Sequence, residues 1–205
     1  SQGMGALDLS VALDDTPRIV RDQDPAELLT ATGQRLSYTG RIADVTRPFR
    51  VTLAWTDAPG STTGAAYSNA LDLTVVLGGT SYRGNVFSGA LSVPGGASDP
   101  RNNVESVFLP AGTAGTFSVT VTAASINSDG VPGVGGSLDQ DFALVVYNAE
   151  EEPQPAVVAA GATLVTESCG AGNGAIDPGE AVEVAFALSN VGTLGTTDLV
   201  ATLRP

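Results

Sequence analysis

The chain has 205 residues and a formal net charge of -13, set by 22 acidic residues against nine basic ones. It has no histidine, no lysine and a single cysteine, Cys169. It therefore lacks the usual general base of hydrolases and the commonest zinc ligand, and a lone cysteine closes no intrachain disulfide and builds no thiolate metal site.

Such acidity repels a phosphate backbone, so no nucleic-acid partner is expected. It also repels an anionic membrane surface. Acidic surfaces rich in Asp attract divalent cations, and Ca²⁺ prefers oxygen ligands; the same charge serves simply to keep a protein soluble. The apolar runs are of strand length, well short of the roughly 18 residues of a spanning helix, so no membrane insertion is expected. Ser1-Gln2-Gly3 has neither the basic start nor the apolar run of a signal peptide. The chain is accordingly read as an internal or processed piece of a longer protein. A hydrophobic fraction of 42% is enough to bury a core.

Residues 1–33 form a lead-in segment. Leu7, Leu9, Val11 and Leu13 alternate there with Asp8, Ser10 and Ala12, a pattern open to helix or strand. From Arg35 onward the period is two. Phe49, Val51, Leu53 and Trp55 point one way, and Arg50, Thr52, Ala54 and Thr56 the other. Leu71, Leu73, Val75 and Leu77 repeat the pattern, as do Phe117, Val119 and Val121, and then Phe142, Leu144 and Val146. These runs are rich in Val, Thr and Phe and bounded by Gly, Pro, Asn and Asp. They predict an all-β fold, an antiparallel sandwich or jelly roll over 34–149 with one wet face per sheet.

Residues 150–156 hold Glu150, Glu151, Glu152, Pro153 and Pro155 and read as an acidic linker. Strands are expected beyond it at 157–165, 181–190 and 197–203. Three strands begin a sandwich and seldom complete one. Residues 157–205 are thus expected to be a partial module whose Val182, Val184, Phe186 and Leu188 need a facing sheet.

Short oxygen side chains gather at several strand ends. Asp57 follows one strand, and Asn69 and Asp72 open another. Asp99, Asn102, Asn103 and Glu105 crowd just before a third. Such groups can converge on one hard cation. They also cap turns, and Arg101 beside Asp99 offers an exposed ion pair worth only ~0–1 kcal/mol. Asp139-Gln140-Asp141 opens the last strand of the first domain and reads as a polar strand start or a further ligand source. Trp55 lies in the apolar register of its strand and reads as core.

Val51-Thr52-Leu53-Ala54-Trp55-Thr56-Asp57-Ala58-Pro59, Asn69-Ala70-Leu71-Asp72-Leu73, Tyr82-Arg83-Gly84-Asn85, Arg101-Asn102-Asn103-Val104-Glu105 and Phe142-Ala143-Leu144-Val145-Val146-Tyr147-Asn148 together resemble the C-terminal jelly-roll domain of secreted subtilisin-like serine proteases. The resemblance covers roughly 36–148. It implies a domain that packs behind the protease domain of the same polypeptide and carries Ca²⁺, with candidate ligands at Asp57, Asn69, Asp72, Asp99 and Glu105. Ala70 departs from the family pattern, which has Asp there. Ser1-Gln2-Gly3-Met4-Gly5-Ala6-Leu7-Asp8-Leu9 is similar to the Gly-rich turn and apolar helix that end the catalytic domain of that family. The resemblance then puts the catalytic triad outside this chain. Cys169-Gly170-Ala171-Gly172-Asn173-Gly174-Ala175-Ile176-Asp177-Pro178-Gly179-Glu180 resembles the turn that opens immunoglobulin-like modules of large secreted bacterial proteins. Asn173, Asp177 and Glu180 there suit Ca²⁺ or a plain turn.

The expectation is a secreted, non-catalytic accessory region of a protease. The alternative is an extracellular carbohydrate- or surface-binding module, though only 5% of residues are aromatic. A glycosidase built on paired carboxylates would need a cleft that the sequence does not announce.

Overall fold

The computed structural model describes residues 9–64, 66–153, 155, 157–168, 173–190 and 194–202. The chain is all-β and divides into two compact units, Ser1–Glu152 and Pro153–Pro205. In the first unit a single helical turn, α1 (Leu9–Ala12), precedes β1 (Arg18–Asp22), β2 (Arg35–Ile42), β3 (Phe49–Ala54), β4 (Ala70–Leu77) and β5 (Thr80–Arg83). Two-residue strands β6 (Phe87–Ser88) and β7 (Leu91–Ser92) follow, then β8 (Val104–Leu109), β9 (Thr116–Ser125), β10 (Ala143–Tyr147) and β11 (Ala149–Glu151).

One antiparallel sheet has the order β1-β10-β3-β8 and the other the order β11-β2-β9-β4-β5. Along the chain, β1 lies in the first sheet, β2 in the second, β3 in the first, β4 and β5 in the second, β8 in the first, β9 in the second and β10 in the first. Crossing from sheet to sheet at nearly every long connection is jelly-roll connectivity.

The alternation in the sequence decides what lies between the sheets. Val51 of β3 stands opposite Val146 of β10 and Val107 of β8, and Val119 of β9 stands opposite Tyr38 of β2 and Val75 of β4. All of these are buried, with Trp55 also in the core as its register predicts. The rings of Phe49 and Phe117 meet across the gap, 5.0 Å apart. Burial of each such side chain contributes roughly 1.5–3 kcal/mol. On β2, a Cβ at position 40 would come within 2.6 Å of the Phe117 ring, so Gly40 is what lets that ring seat.

Two stretches differ from the sequence reading. The sandwich begins before residue 34, because β1 pairs with β10 from Arg18↔Tyr147 to Asp22↔Ala143. It is an edge strand in which Ile19 is the one buried residue, so no alternating run was there to be read. The acidic stretch after 149 is strand before it is linker. Glu150 and Glu151 of β11 pair with Arg41 and Gly40, and their charges meet Arg41 and Arg21 in ion pairs. Neighbouring guanidinium groups relieve the repulsion that a run of three Glu predicts.

In the second unit, β12 (Val157–Glu167) and β13 (Val182–Asn190) form an antiparallel pair with register shifts between Ala159 and Gly161 and between Leu164 and Thr166. No described residue of either strand is buried. The strand expected at 197–203 is absent over 197–202, and residue 203 lies outside the described residues, as do 1–8 and Cys169.

Candidate functional site

The sequence-predicted ligands fall into two separate groups. The first joins four chain segments. Asp57 accepts from the Ser68 N–H at Oδ2 (2.7 Å) and from the Asn69 N–H at Oδ1 (2.8 Å). Asn69, buried just ahead of β4, donates from Nδ2 to the Ser128 and Asp139 carbonyls (3.1 and 3.2 Å) and to Gln140 Oε1 (2.9 Å). Its Oδ1 accepts the N–H groups of Asn127 (2.8 Å) and Ser128 (3.0 Å). Buried Gln140 continues the set, donating from Nε2 to the Thr56 and Asp141 carbonyls, both at 3.0 Å. The loop after β3, the start of β4, the loop after β9 and the approach to β10 are thereby tied together. Buried backbone groups outside a sheet ladder need such partners. Asp139, also buried, accepts the Val131 N–H at Oδ1 (3.0 Å) and has no partner at Oδ2.

The second group lies where β5 leaves β4. Glu105 of β8 is 1% exposed and reaches across to the other sheet, where its Oε2 accepts the Leu73 N–H at 2.7 Å. A Cβ on Gly84 would lie 2.2 Å from that oxygen, so only glycine lets the chain pass. Glu105 Oε1 is buried without a hydrogen-bond partner. Burial pushes the Glu105 carboxyl up to about 8; the Leu73 N–H opposes this, and the negative charges of Asp72 and Asp99 reinforce it.

Asn85, at φ 61°, closes the same region. Its Nδ2 donates to Asp99 Oδ2 and the Val104 carbonyl, both at 2.9 Å, and its Oδ1 accepts the Ser106 N–H at 3.0 Å. Asp99 Oδ1 takes the N–H groups of Arg101 (3.1 Å) and Asn102 (3.3 Å). Desolvation works against the Asp99 carboxylate, but the bonds from Asn102, Asn85 and Arg101 outweigh it and hold its pKa below the usual range. The contact between Arg101 and Asp99 thus runs through the Arg101 backbone and not through an ion pair.

A cation has different prospects in the two groups. Both carboxylate oxygens of Asp57 and the amide oxygen of Asn69 already accept backbone N–H groups, and both oxygens of Asp99 likewise accept N–H groups from Asn85, Arg101 and Asn102. Each of these residues is thus already engaged, and Asp99 bears on Glu105 through its charge. The orphaned Glu105 oxygen, under the charges of Asp72 and Asp99, does fit one. The described residues contain no ready-made group of three or more His, Cys, Asp or Glu placed to hold a metal ion. Asp139-Gln140-Asp141 is a bracing element: Gln140 braces the first group, and β10 begins only at Ala143.

Further polar residues carry structure that the sequence did not single out. Asp14 Oδ2 accepts from Thr16 Oγ1 and the Tyr147 hydroxyl, both at 2.8 Å, and from Arg47 at 2.6 Å. Desolvation would raise the Asp14 carboxyl, yet these partners lower it to about 2, which fastens the lead-in segment to β10. Asn148, buried at φ 65°, accepts the Asp44 N–H at 2.9 Å and donates to the Asp44 and Arg47 carbonyls. The signal for Asn85 and Asn148 is the side chain itself, since Asn tolerates the left-handed region better than most residues.

The outward face of the first sheet holds a groove of about 510 Å³, lined among others by Val20, Arg50, Thr52, Phe108, Val145 and Tyr147. The outward face of the second sheet is instead a field of hydroxyls, including Ser37 and Thr120, whose oxygens lie 3.0 Å apart. No helix among the described residues is long and apolar enough to cross a membrane. No protein-family model and no curated protein matches the chain.

Proposed function

We infer that the chain is a non-catalytic accessory region of a secreted subtilisin-like serine protease, whose jelly roll stabilises the parent enzyme. One observation carries the reading. The segments that resemble the protease C-terminal domain are the same segments whose side chains cross-link the sandwich: Asp57 with Asn69, Asn85 with Asp99 and Val104, and Glu105 with Leu73. Residues spent on holding loops to strands suit a structural module.

Ca²⁺ enters this reading at Glu105, with Asp72 and Asp99 beside it. An ion there would neutralise the buried carboxylate and tie β8 to β4. Binding only to the folded state stabilises by ~2.7 kcal/mol at a hundredfold excess over Kd.

The coding sequence ahead of Ser1 tests the parentage: it should encode a Gly-Thr-Ser-type nucleophile segment. The purified chain should hydrolyse neither casein nor simple esters. Turnover that a serine-directed inhibitor abolishes would overturn the reading.

A further inference from the structure

The groove on the outward face of β1, β10, β3 and β8 has an uncommon composition for this chain. Val20 is 51% exposed and Val145 38%, side by side on paired strands. The Arg50 guanidinium stands over the Phe108 ring, 5.2 Å from its centroid, at one side of this floor. The Arg18 guanidinium stands over the Tyr147 ring at 5.5 Å on the other. These two cations are not equivalent. Arg18 is bound to Asp14 at 2.7 Å, whereas Arg50 forms no ion pair among the described residues. In a chain with 22 acidic residues and nine basic ones, a guanidinium left unpaired above an apolar floor is a vacant seat for a carboxylate from outside.

We propose that this groove binds the C-terminal end of short apolar peptides, with the α-carboxylate on Arg50 and the last side chain on Val20 and Val145. A volume of about 510 Å³ suits a few residues. Thr52 supports a peptide over a fatty acid. It lines the groove, and its hydroxyl, 3.2 Å from that of buried Ser106, can serve a peptide amide, for which an acyl chain has no counterpart. Aromatic stacking keeps Arg50 in place before the ligand arrives, which lowers the ordering cost of binding. The site lies wholly within the first unit and is independent of the protease reading.

The test is a titration of the full chain with N-acetyl-Ala-Val-Leu, with the same peptide as its C-terminal amide, and with octanoate, followed by calorimetry or NMR. The free acid should bind saturably at millimolar concentration or better, and the amide at least about tenfold more weakly, because a charge-assisted pair is lost. Arg50→Met should erase the difference between acid and amide while lowering the melting temperature by no more than a few degrees, since Arg50 is exposed and loses only its contact with the Phe108 ring. Arg83→Met, on the second sheet, should leave both affinities as they were. Equal binding of acid and amide, binding of octanoate without the peptide, an Arg83→Met effect equal to that of Arg50→Met, or no saturable binding would each overturn the proposal.

Discussion

β3 and β13 carry nearly the same message and meet different fates. Phe49, Val51 and Leu53 alternate with polar or small residues on β3, as Val182, Val184, Phe186 and Leu188 do on β13. Phe49 and Leu53 are 0% exposed, while Phe186 is 64% and Leu188 46% exposed. Alternation therefore specifies a strand with an apolar face, and burial comes only when a second sheet is available to cover that face. In the first unit, β9, β2 and β4 supply the cover. In the second, the described strands are two, and a two-stranded ribbon has no inside.

The largest expected effect sharpens this contrast. Phe49→Ala removes the ring that meets Phe117 at 5.0 Å and should cost about 3–5 kcal/mol in chemical denaturation of the first unit. A loss below about 1 kcal/mol would mean that the two sheets are not packed as described.

A second effect is read in pH. The Glu105 carboxyl sits at about 8 in the fold against an ordinary value of 4.5. A raised value gives stability that is complete below the unfolded pKa and is lost as pH climbs towards the folded one. Unfolding free energy should thus fall between about pH 4.5 and 8 in the absence of Ca²⁺, and Glu105→Gln should flatten that slope. An identical slope in the variant would assign the titration to another group.

The smallest effect completes the comparison. Phe186→Ala on β13 should change stability by no more than about 0.5 kcal/mol, as at most exposed positions. A loss comparable to that of Phe49→Ala would show that the face of β13 is covered in solution.

The fold was legible because four long strands of the first unit turn every second residue inward, and period two survives in the sequence. β1 and β11 were not legible. β1 buries Ile19 alone, and β11 depends on Arg21 and Arg41, which are remote in sequence. The candidate site was half legible. Asn69 and Glu105 sit at the starts of β4 and β8 and Asp57 just beyond β3, whereas Asp72 is paired within β4 and Asp99 lies in the loop five residues ahead of β8. Which of their oxygens are already engaged could not be read, because the partners are distant. Asn69 is held by residues 127, 128, 139 and 140, and Glu105 by Leu73. Short-range spacing records the residue types and is silent on such closures.

The separation of these residues into two groups is most directly tested by thermal melting of the chain, Glu105→Gln and Asp57→Asn, each with chelator and with millimolar Ca²⁺. The account predicts that Ca²⁺ raises the melting temperature of the unsubstituted chain and of Asp57→Asn by similar amounts, although Asp57→Asn starts lower after losing a charged acceptor for the Ser68 and Asn69 N–H groups. Glu105→Gln should lose the Ca²⁺ response. A response abolished by Asp57→Asn and kept by Glu105→Gln, or no response in the unsubstituted chain, would contradict it.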